Sequence, residues 1–302
     1  MLHRTQHRRN TMDSTAFAPA PSTLYAVATP IGNLRDITLR ALDVLRGVDR
    51  IAAEDTRVSS VLLRHYGIST RLIALHQHNE RAQAARIVAW LREGLSVALI
   101  ADAGTPGISD PGAELVAIVR AAGFAVLPIP GPSALTAALS VTGWAAVPFT
   151  FIGFLPARPA TRRAALEALR EVREALIFYE APHRIIATLG DLAERLGESR
   201  RVTVGRELTK RFETVHESTL AGALHWVAED ADRQRGEFVL IVEGAAPVID
   251  DAPRAADLHV FELLLRELPA SRAARLAADI TGKPRRFFYD LAIGSDKSKD
   301  AD

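Results

Sequence analysis

Three features of this 302-residue chain predict an α/β fold in two domains, followed by a small helical unit. Short apolar runs alternate with stretches whose apolar residues recur at helical spacing, the pattern of strand–helix repeats around a parallel sheet. Three of these runs end in Gly- and Pro-rich loops, at residues 29–33, 101–112 and 128–134. The repeat changes character at 144–149, starts again, and gives way to a wholly helical end.

Composition narrows the classes. An apolar fraction of 48% supports sizeable cores, and the absence of cysteine excludes disulfides and thiolate metal sites. No apolar run reaches the ~18–20 residues that a membrane helix needs, so a soluble protein with no membrane partner is expected, and the lack of cysteine fits a cytoplasmic one. A net charge of +1 gives no global attraction to nucleic acid, and any such attraction has to be local.

Residues 1–22 are rich in Arg and His, then in Ser, Ala and Pro, without an apolar period; they are expected to be a disordered leader, and Met12 offers a second start. The first domain is expected over 23–145. Its first buried strand, 23–28, ends in Thr29-Pro30-Ile31-Gly32-Asn33, and a helix at 37–45 follows. A strand at 48–53 stops at the polar cluster Glu54-Asp55-Thr56-Arg57, where Asp55 or Thr56 either caps the helix at 58–65 or faces a cleft. Beyond a short strand at 72–75, His76 and His78 point the same way on an extended segment, as a metal pair would. No third ligand is near, so helix capping before 81–91 accounts for them better, and no metal is expected.

The run at 96–100 is continuous, as for a strand buried on both faces. The loop after it reads Ala-Asp-Ala-Gly-Thr-Pro-Gly-Ile-Ser-Asp-Pro-Gly and leads into a helix at 111–122, with Asp110 as N-cap and Pro111 at the first position. Neither a Walker-type lysine nor Gly-x-Gly-x-x-Gly spacing occurs. No Lys or Arg lies between Leu95 and Val119, whereas Asp102 and Asp110 do. That charge disfavours a polyphosphate but does not penalise a neutral or cationic adenosine-type ligand. Open α/β sheets bind ligands at this end of a strand. A strand at 124–127 ends in the third loop, with Ser133 as N-cap of a helix at 134–140.

The second domain is expected over 146–245. A strand at 151–155, a helix at 160–172 and a strand at 175–179 lead to Glu180-Ala181-Pro182-His183-Arg184, and Pro182 opens a helix that stops at Gly197. From Arg200 to Arg211 there are five basic residues and one acidic, either a solvated face or a phosphate-contacting strip. A strand at 237–242 precedes a linker at 244–253. The tail, 257–293, carries apolar stripes through Phe261, Leu264, Leu265 and Leu268 and through 273–280, then turns at Gly282. Helix, helix, turn and helix in this order resembles a helix-turn-helix module, with Lys283, Arg285 and Arg286 at the turn; a packing or dimerising tail fits equally.

The three loops, at 28–36, 101–112 and 128–134, resemble those of the tetrapyrrole-methylase superfamily, which uses S-adenosylmethionine. The motifs at 27–36, 53–57, 102–112, 178–184 and 206–210 are similar to those of one branch. Members of that branch methylate the ribose 2′-oxygen of a cytidine in the decoding centre of 16S ribosomal RNA. The resemblance implies two α/β domains of the tetrapyrrole-methylase type with the cofactor in the cleft between them, a homodimer, and 16S rRNA, within the small ribosomal subunit, as partner. Carried over by position, it implies cofactor contacts at Pro30, at Ala103, Gly104, Thr105 and Ile108, at Ser133 and Ala134, and at Tyr179, Glu180, Glu207 and Leu208. RNA contacts are expected at Arg184, Arg206, Arg211, Lys283, Arg285 and Arg286.

Methyl transfer from a sulfonium is an in-line displacement on an already activated carbon, so alignment matters most. A ribose hydroxyl is a poor nucleophile, and a base or a cation that lowers its pKa helps. Asp36, Asp55, Glu180, His183, Glu207 and Lys210 are candidates, and the mixed charge of 206–210 favours Glu207 and Lys210. A methyltransferase for a tetrapyrrole or corrinoid precursor would share the cofactor loops without needing the basic strip or the tail. A non-catalytic RNA-binding protein would have no use for the loops.

Overall fold

The structure, a computed structural model, describes residues 17–76, 79–144, 148–246 and 255–296. The chain divides into two compact units, Met1–Ala245 and Ala246–Asp302.

In the larger unit the first sheet is built from β1 (Thr23–Val27), β2 (Arg50–Ala53), β3 (Leu72–Ala74), β4 (Val97–Ile100) and β5 (Ala125–Ile129). All its pairings are parallel, in the order β3-β2-β4-β1-β5. Helices α1 (Leu39–Gly47), α2 (Thr56–His65), α3 (Glu80–Arg92), α4 (Ala113–Ala121) and α5 (Ala134–Ser140) make the crossovers. One core lies under α1 and α2 around Tyr25, Leu45 and Ile51; another lies under α3 and α4 around Leu24, Ile87 and Leu99. Every residue of β4 is buried, as its unbroken apolar run predicts for a central strand covered on both faces. Strand order fixes the functional geometry. β4, β1 and β5 are neighbours, so the three Gly/Pro-rich loops leave the sheet side by side.

The second sheet comprises β6 (Phe149–Phe154), β7 (Ala175–Glu180), β8 (Arg201–Arg206), β9 (Thr214–Thr219) and β10 (Phe238–Val242), with α6 (Pro159–Ala168), α7 (Ile185–Leu196) and α8 (Leu220–Ala228). Its order is β6-β7-β10-β8-β9, with β6 and β7 parallel and the remaining pairs antiparallel. The buried Arg162–Asp191 pair, 2.6 Å between Nε and Oδ2, ties α6 to α7 beside this core. β9 carries no apolar run for the sequence to show, because Thr214–Thr219 alternates exposed and half-buried residues along an edge.

The smaller unit holds α9 (Ala255–Glu267), α10 (Ala270–Thr281) and α11 (Arg285–Asp296). They close on a core of Phe261, Ala273, Ala274, Ala277 and Phe288, and Gly282 ends α10 in the left-handed conformation.

Three expectations need correction. The leader is not unstructured up to residue 22. Phe17 packs edge-on against Tyr25 at 5.8 Å, and the Ala20 N–H donates to the Tyr25 hydroxyl at 2.8 Å. Asp110 does not cap α4; Gly112 occupies that position, and its N–H and that of Leu115 donate to Glu80 Oε1 at 2.9 and 3.0 Å. Helix α7 begins at Ile185 rather than at Pro182. His78 lies outside the described residues, whereas the His76 N–H donates to Asn79 Oδ1 at 2.9 Å. Among the described residues, no helix is long and apolar enough to cross a membrane.

Candidate functional site

The three loops close on one another through backbone contacts. Thr29 and Gly104 exchange two hydrogen bonds, 2.8 and 3.0 Å, which pins the β1 loop to the β4 loop. The Thr105 hydroxyl donates to the Pro132 carbonyl at 3.3 Å, which joins the β4 loop to the β5 loop. Gly131 lies against Ala28 so closely that a Cβ there would sit 2.9 Å from the alanine methyl. Gly104 holds φ +77, a conformation open to glycine at little cost.

A cavity of about 400 Å³ opens beside these loops. The first sheet contributes Ile31 after β1, Glu54 after β2, Asp102 to Thr105 and Ile108 to Asp110 after β4, and Ser133 and Ala134 after β5. Opposite them stand the strand ends of the second sheet: Phe154, Tyr179 to Pro182, Leu208, Lys210, and Glu237 to Val239. The walls are bonded together. The α5 N-terminus has no side-chain cap of its own, and the Leu135 N–H donates instead to the Tyr179 hydroxyl at 3.1 Å.

Nine of the positions carried over as cofactor contacts therefore face one cavity: Ala103, Gly104, Thr105, Ile108, Ser133, Ala134, Tyr179, Glu180 and Leu208. Pro30 and Glu207 do not line it. Pro30 is buried, and its half-buried neighbour Ile31 lines the cavity instead. Glu207 sits behind Lys210 and positions it: Glu207 Oε1 accepts from Lys210 Nζ and from the Glu237 N–H, both at 2.9 Å.

Two of the residues expected to contact RNA turn inward. The Arg206 guanidinium, 9% exposed as a residue, donates to the carbonyls of Arg235, Asp232 and Phe212. Arg184 donates to the Leu155 carbonyl at 2.6 Å and pairs with buried Glu180 at 3.2 Å. Both hold loops together, Arg206 buried and Arg184 half-buried. Arg211 is exposed, with its guanidinium 5.5 Å from the Phe212 ring. In the helical unit, Arg285 and Arg286 are exposed on the first turn of α11, and Lys283 precedes them.

Several candidate bases are committed elsewhere. Asp55 caps α2, and its bonds with Arg57 pull its carboxyl down to about 2. Glu180 spends Oε1 on the Ala181 N–H and Oε2 on the Thr188 hydroxyl, at 2.8 and 2.6 Å. Asp36 and His183 are exposed and line no part of the cavity. Lys210 does line it, held by Glu207 and by Glu237 Oε2 at 2.8 Å. Burial alone would lower the Lys210 pKa, but these carboxylates outweigh burial and keep it raised. Burial raises Glu207 in turn, yet the bonds from Lys210 and the Glu237 N–H leave its carboxyl below the ordinary range. The pair is thus an ammonium and a carboxylate.

Among the remaining carboxylates, Asp102 and Asp110 enter the sequence reading through the charge of their loop, whereas Glu237 has no signal there. Burial, then repulsion from Glu54 and Asp102, pushes Asp110 up to about 6. Burial also raises Glu54, next to Asp102. Among the described residues lining the cavity, Lys210 is the cation, set against Glu54, Asp102, Asp110, Glu180 and Glu237. Such a cavity repels an anion and favours a cation.

Residues 23–223 match the Tetrapyrrole (Corrin/Porphyrin) Methylases family, and residues 251–295 match the RsmI C-terminal HTH domain. The chain is 50% identical over 270 residues to "Ribosomal RNA small subunit methyltransferase I" of Escherichia coli O157:H7, covering 89% of this chain and 94% of that one. It is 54% identical over 269 residues to the protein of the same name from Xylella fastidiosa strain Temecula1, covering 89% and 98%. Among solved structures, a uroporphyrin-III-C-methyltransferase from Thermus thermophilus superposes with a TM-score of 0.53 at 22% identity, over 74% of this chain and 94% of that chain. A cobalt precorrin-4 methyltransferase superposes with a TM-score of 0.55 at 16% identity, over 73% and 94%. These two likenesses concern the fold.

Proposed function

The chain belongs to the tetrapyrrole methylase family, on the branch of the ribosomal RNA small subunit methyltransferase I proteins, and from that premise we propose that it methylates 16S ribosomal RNA with S-adenosylmethionine, at the ribose 2′-oxygen of a cytidine in the decoding centre. The observation that carries this reading is the cavity itself. Three interlocked loops present backbone groups and small side chains on one wall, and the surrounding charge is mostly negative.

The donor set fits the cofactor. Gly104, Thr105, Ser133 and Ala134 would take the nucleoside, and the carboxylates Asp102 and Asp110 suit its positive charges. When bound, S-adenosylmethionine supplies a methyl group on a positively charged sulfur. The protein's part is then to align the acceptor, to exclude water and to keep cationic side chains off the donor side. Lys210, fixed at the opposite wall with its charge offset by Glu207 and Glu237, would polarise the acceptor's hydroxyl, whose proton passes to solvent as the carbon–sulfur bond breaks and S-adenosylhomocysteine leaves, and Glu207 positions Lys210. Arg211, Lys283, Arg285 and Arg286 form the outer RNA contacts, and the working unit is a cytoplasmic homodimer acting on the small ribosomal subunit.

Mapping of ribose methylation in 16S RNA from cells with and without this protein tests the reading, and loss of one modified cytidine is expected. Methylation of a tetrapyrrole or corrinoid precursor, with the RNA unchanged, would overturn it.

The cavity charge makes a separate prediction. A cationic ligand favours the Asp110 carboxylate and lowers its pKa in the complex, so binding releases a proton where the free group is half protonated. Affinity is therefore highest above pH 6 and falls as the pH drops through about 6. Calorimetry with S-adenosylmethionine in buffers of different ionisation enthalpy should show that release, and affinity should fall up to about tenfold by pH 5. Asp110→Asn should flatten both. A wild-type affinity indifferent to pH would contradict the charge assignment.

A further inference from the structure

β6 contains an irregularity that changes where its last side chain points. In its pairing with β7, Phe151 lies opposite Ile177 but Gly153 lies opposite Phe178, so Ile152 is an extra residue. Strict alternation would put Phe154 on the face of Ile152, which packs onto the core beneath α6 and α7. The bulge turns Phe154 to the other face instead, opposite Tyr179. There the Phe154 and Phe151 rings flank Tyr179 edge-on, at 5.7 and 5.0 Å. The loop after β4 approaches the bulge closely. Gly153 holds φ +72, and a Cβ there would lie 2.7 Å from Ser109 Oγ, while Ser109 itself holds φ +67.

The result is a phenylalanine that lines the cavity and is 54% exposed. A lone exposed apolar side chain needs no explanation. This one is displayed by a bulge, a left-handed glycine and a close contact, all in a sequence whose alternation would have buried it. Its ring shares the second-sheet wall with Lys210, opposite Thr105, Ser133 and Ala134. A planar, weakly polar group entering the cavity would cover the ring. A nucleotide splayed out of an RNA strand has that chemistry.

Resting on the reading above, we propose that Phe154, braced by Tyr179, is the platform on which the base of the acceptor nucleotide stacks as its ribose enters the cavity. Phe154→Ala and Phe154→Tyr test this in the full-length protein, with small ribosomal subunits as substrate and S-adenosylmethionine binding measured separately by calorimetry. The alanine variant is expected to raise KM for the subunits about 5- to 100-fold, the loss typical of a missing base stack. Its affinity for S-adenosylmethionine should stay within about twofold of wild type, and tyrosine should restore the RNA constant. Unchanged RNA kinetics in Phe154→Ala would overturn the platform. A fall in donor affinity that accounts for the lost turnover would also overturn it, by assigning the ring to the donor's adenine. A wild-type protein that binds the donor but methylates no RNA would overturn the functional reading and the platform together, an outcome distinguishable from the first two.

Discussion

Lys210→Ala should lower the rate of methyl transfer to 16S RNA about 10²- to 10³-fold while leaving S-adenosylmethionine affinity nearly unchanged; removal of a single preorganised charge or donor at a reacting group has this effect. Its ammonium is fixed before any substrate arrives. Glu207 Oε1 and Glu237 Oε2 hold Nζ at 2.9 and 2.8 Å, and Gly32 leaves room for the stem, since a Cβ there would sit 2.5 Å from Lys210 Cγ. The backbone around it is strained, with φ +52 at Glu207 and +67 at Thr209. Non-glycine residues persist in that region when surrounding contacts over-determine them, and functional sites are where this occurs most often.

Glu207→Gln keeps the shape but weakens the hold on Nζ, so a smaller loss of about tenfold is expected, in kcat rather than in donor binding. Single-turnover kinetics with small ribosomal subunits, alongside calorimetry with S-adenosylmethionine, separate the two quantities. If Lys210→Ala and Glu207→Ala both methylate RNA at the wild-type rate, the acceptor does not approach this segment.

The loops were legible in the sequence because glycine and proline mark positions where only certain backbones fit, and strand order then brought the three together. Charge was harder to read. Five basic residues between Arg200 and Arg211 read as a solvated face or a phosphate-contacting strip, yet Arg206 turns inward to three carbonyls and Lys210 is held by two carboxylates. A sequence counts charges but does not give their directions. Phe154 was hidden for a related reason: period-two alternation assumes an unbroken register, and one inserted residue reverses it. At the β1 loop the side chain that lines the cavity is that of half-buried Ile31, next to buried Pro30.

Glu80→Ala should destabilise the larger unit by about 2–4 kcal/mol and weaken S-adenosylmethionine binding as well, although Glu80 does not line the cavity. The cause lies at the start of α4. A residue at 112 with its own capping side chain is ruled out, because φ is +129 and a Cβ would sit 2.7 Å from Leu99 Cδ2. Glycine is required there, so the helix N-terminus has no local cap. Glu80, 7% exposed on the first turn of α3, supplies one from a neighbouring helix. A carboxylate at a helix N-terminus also meets the positive end of its dipole.

This cap leaves Asp110 available to the cavity, and so the residue expected from sequence to end the loop contributes to the cavity's charge instead. Loss of the Glu80 oxygen strands two buried N–H donors and loosens the far end of the loop that carries Ala103, Gly104 and Thr105. Glu80→Gln retains an acceptor without the charge and should recover roughly half of the stability and most of the binding. Urea unfolding and calorimetry read the two effects independently. A destabilised Glu80→Ala protein with unaltered donor affinity would mean that the loop is held from its β4 end alone, by the Thr29–Gly104 and Thr105–Pro132 bonds.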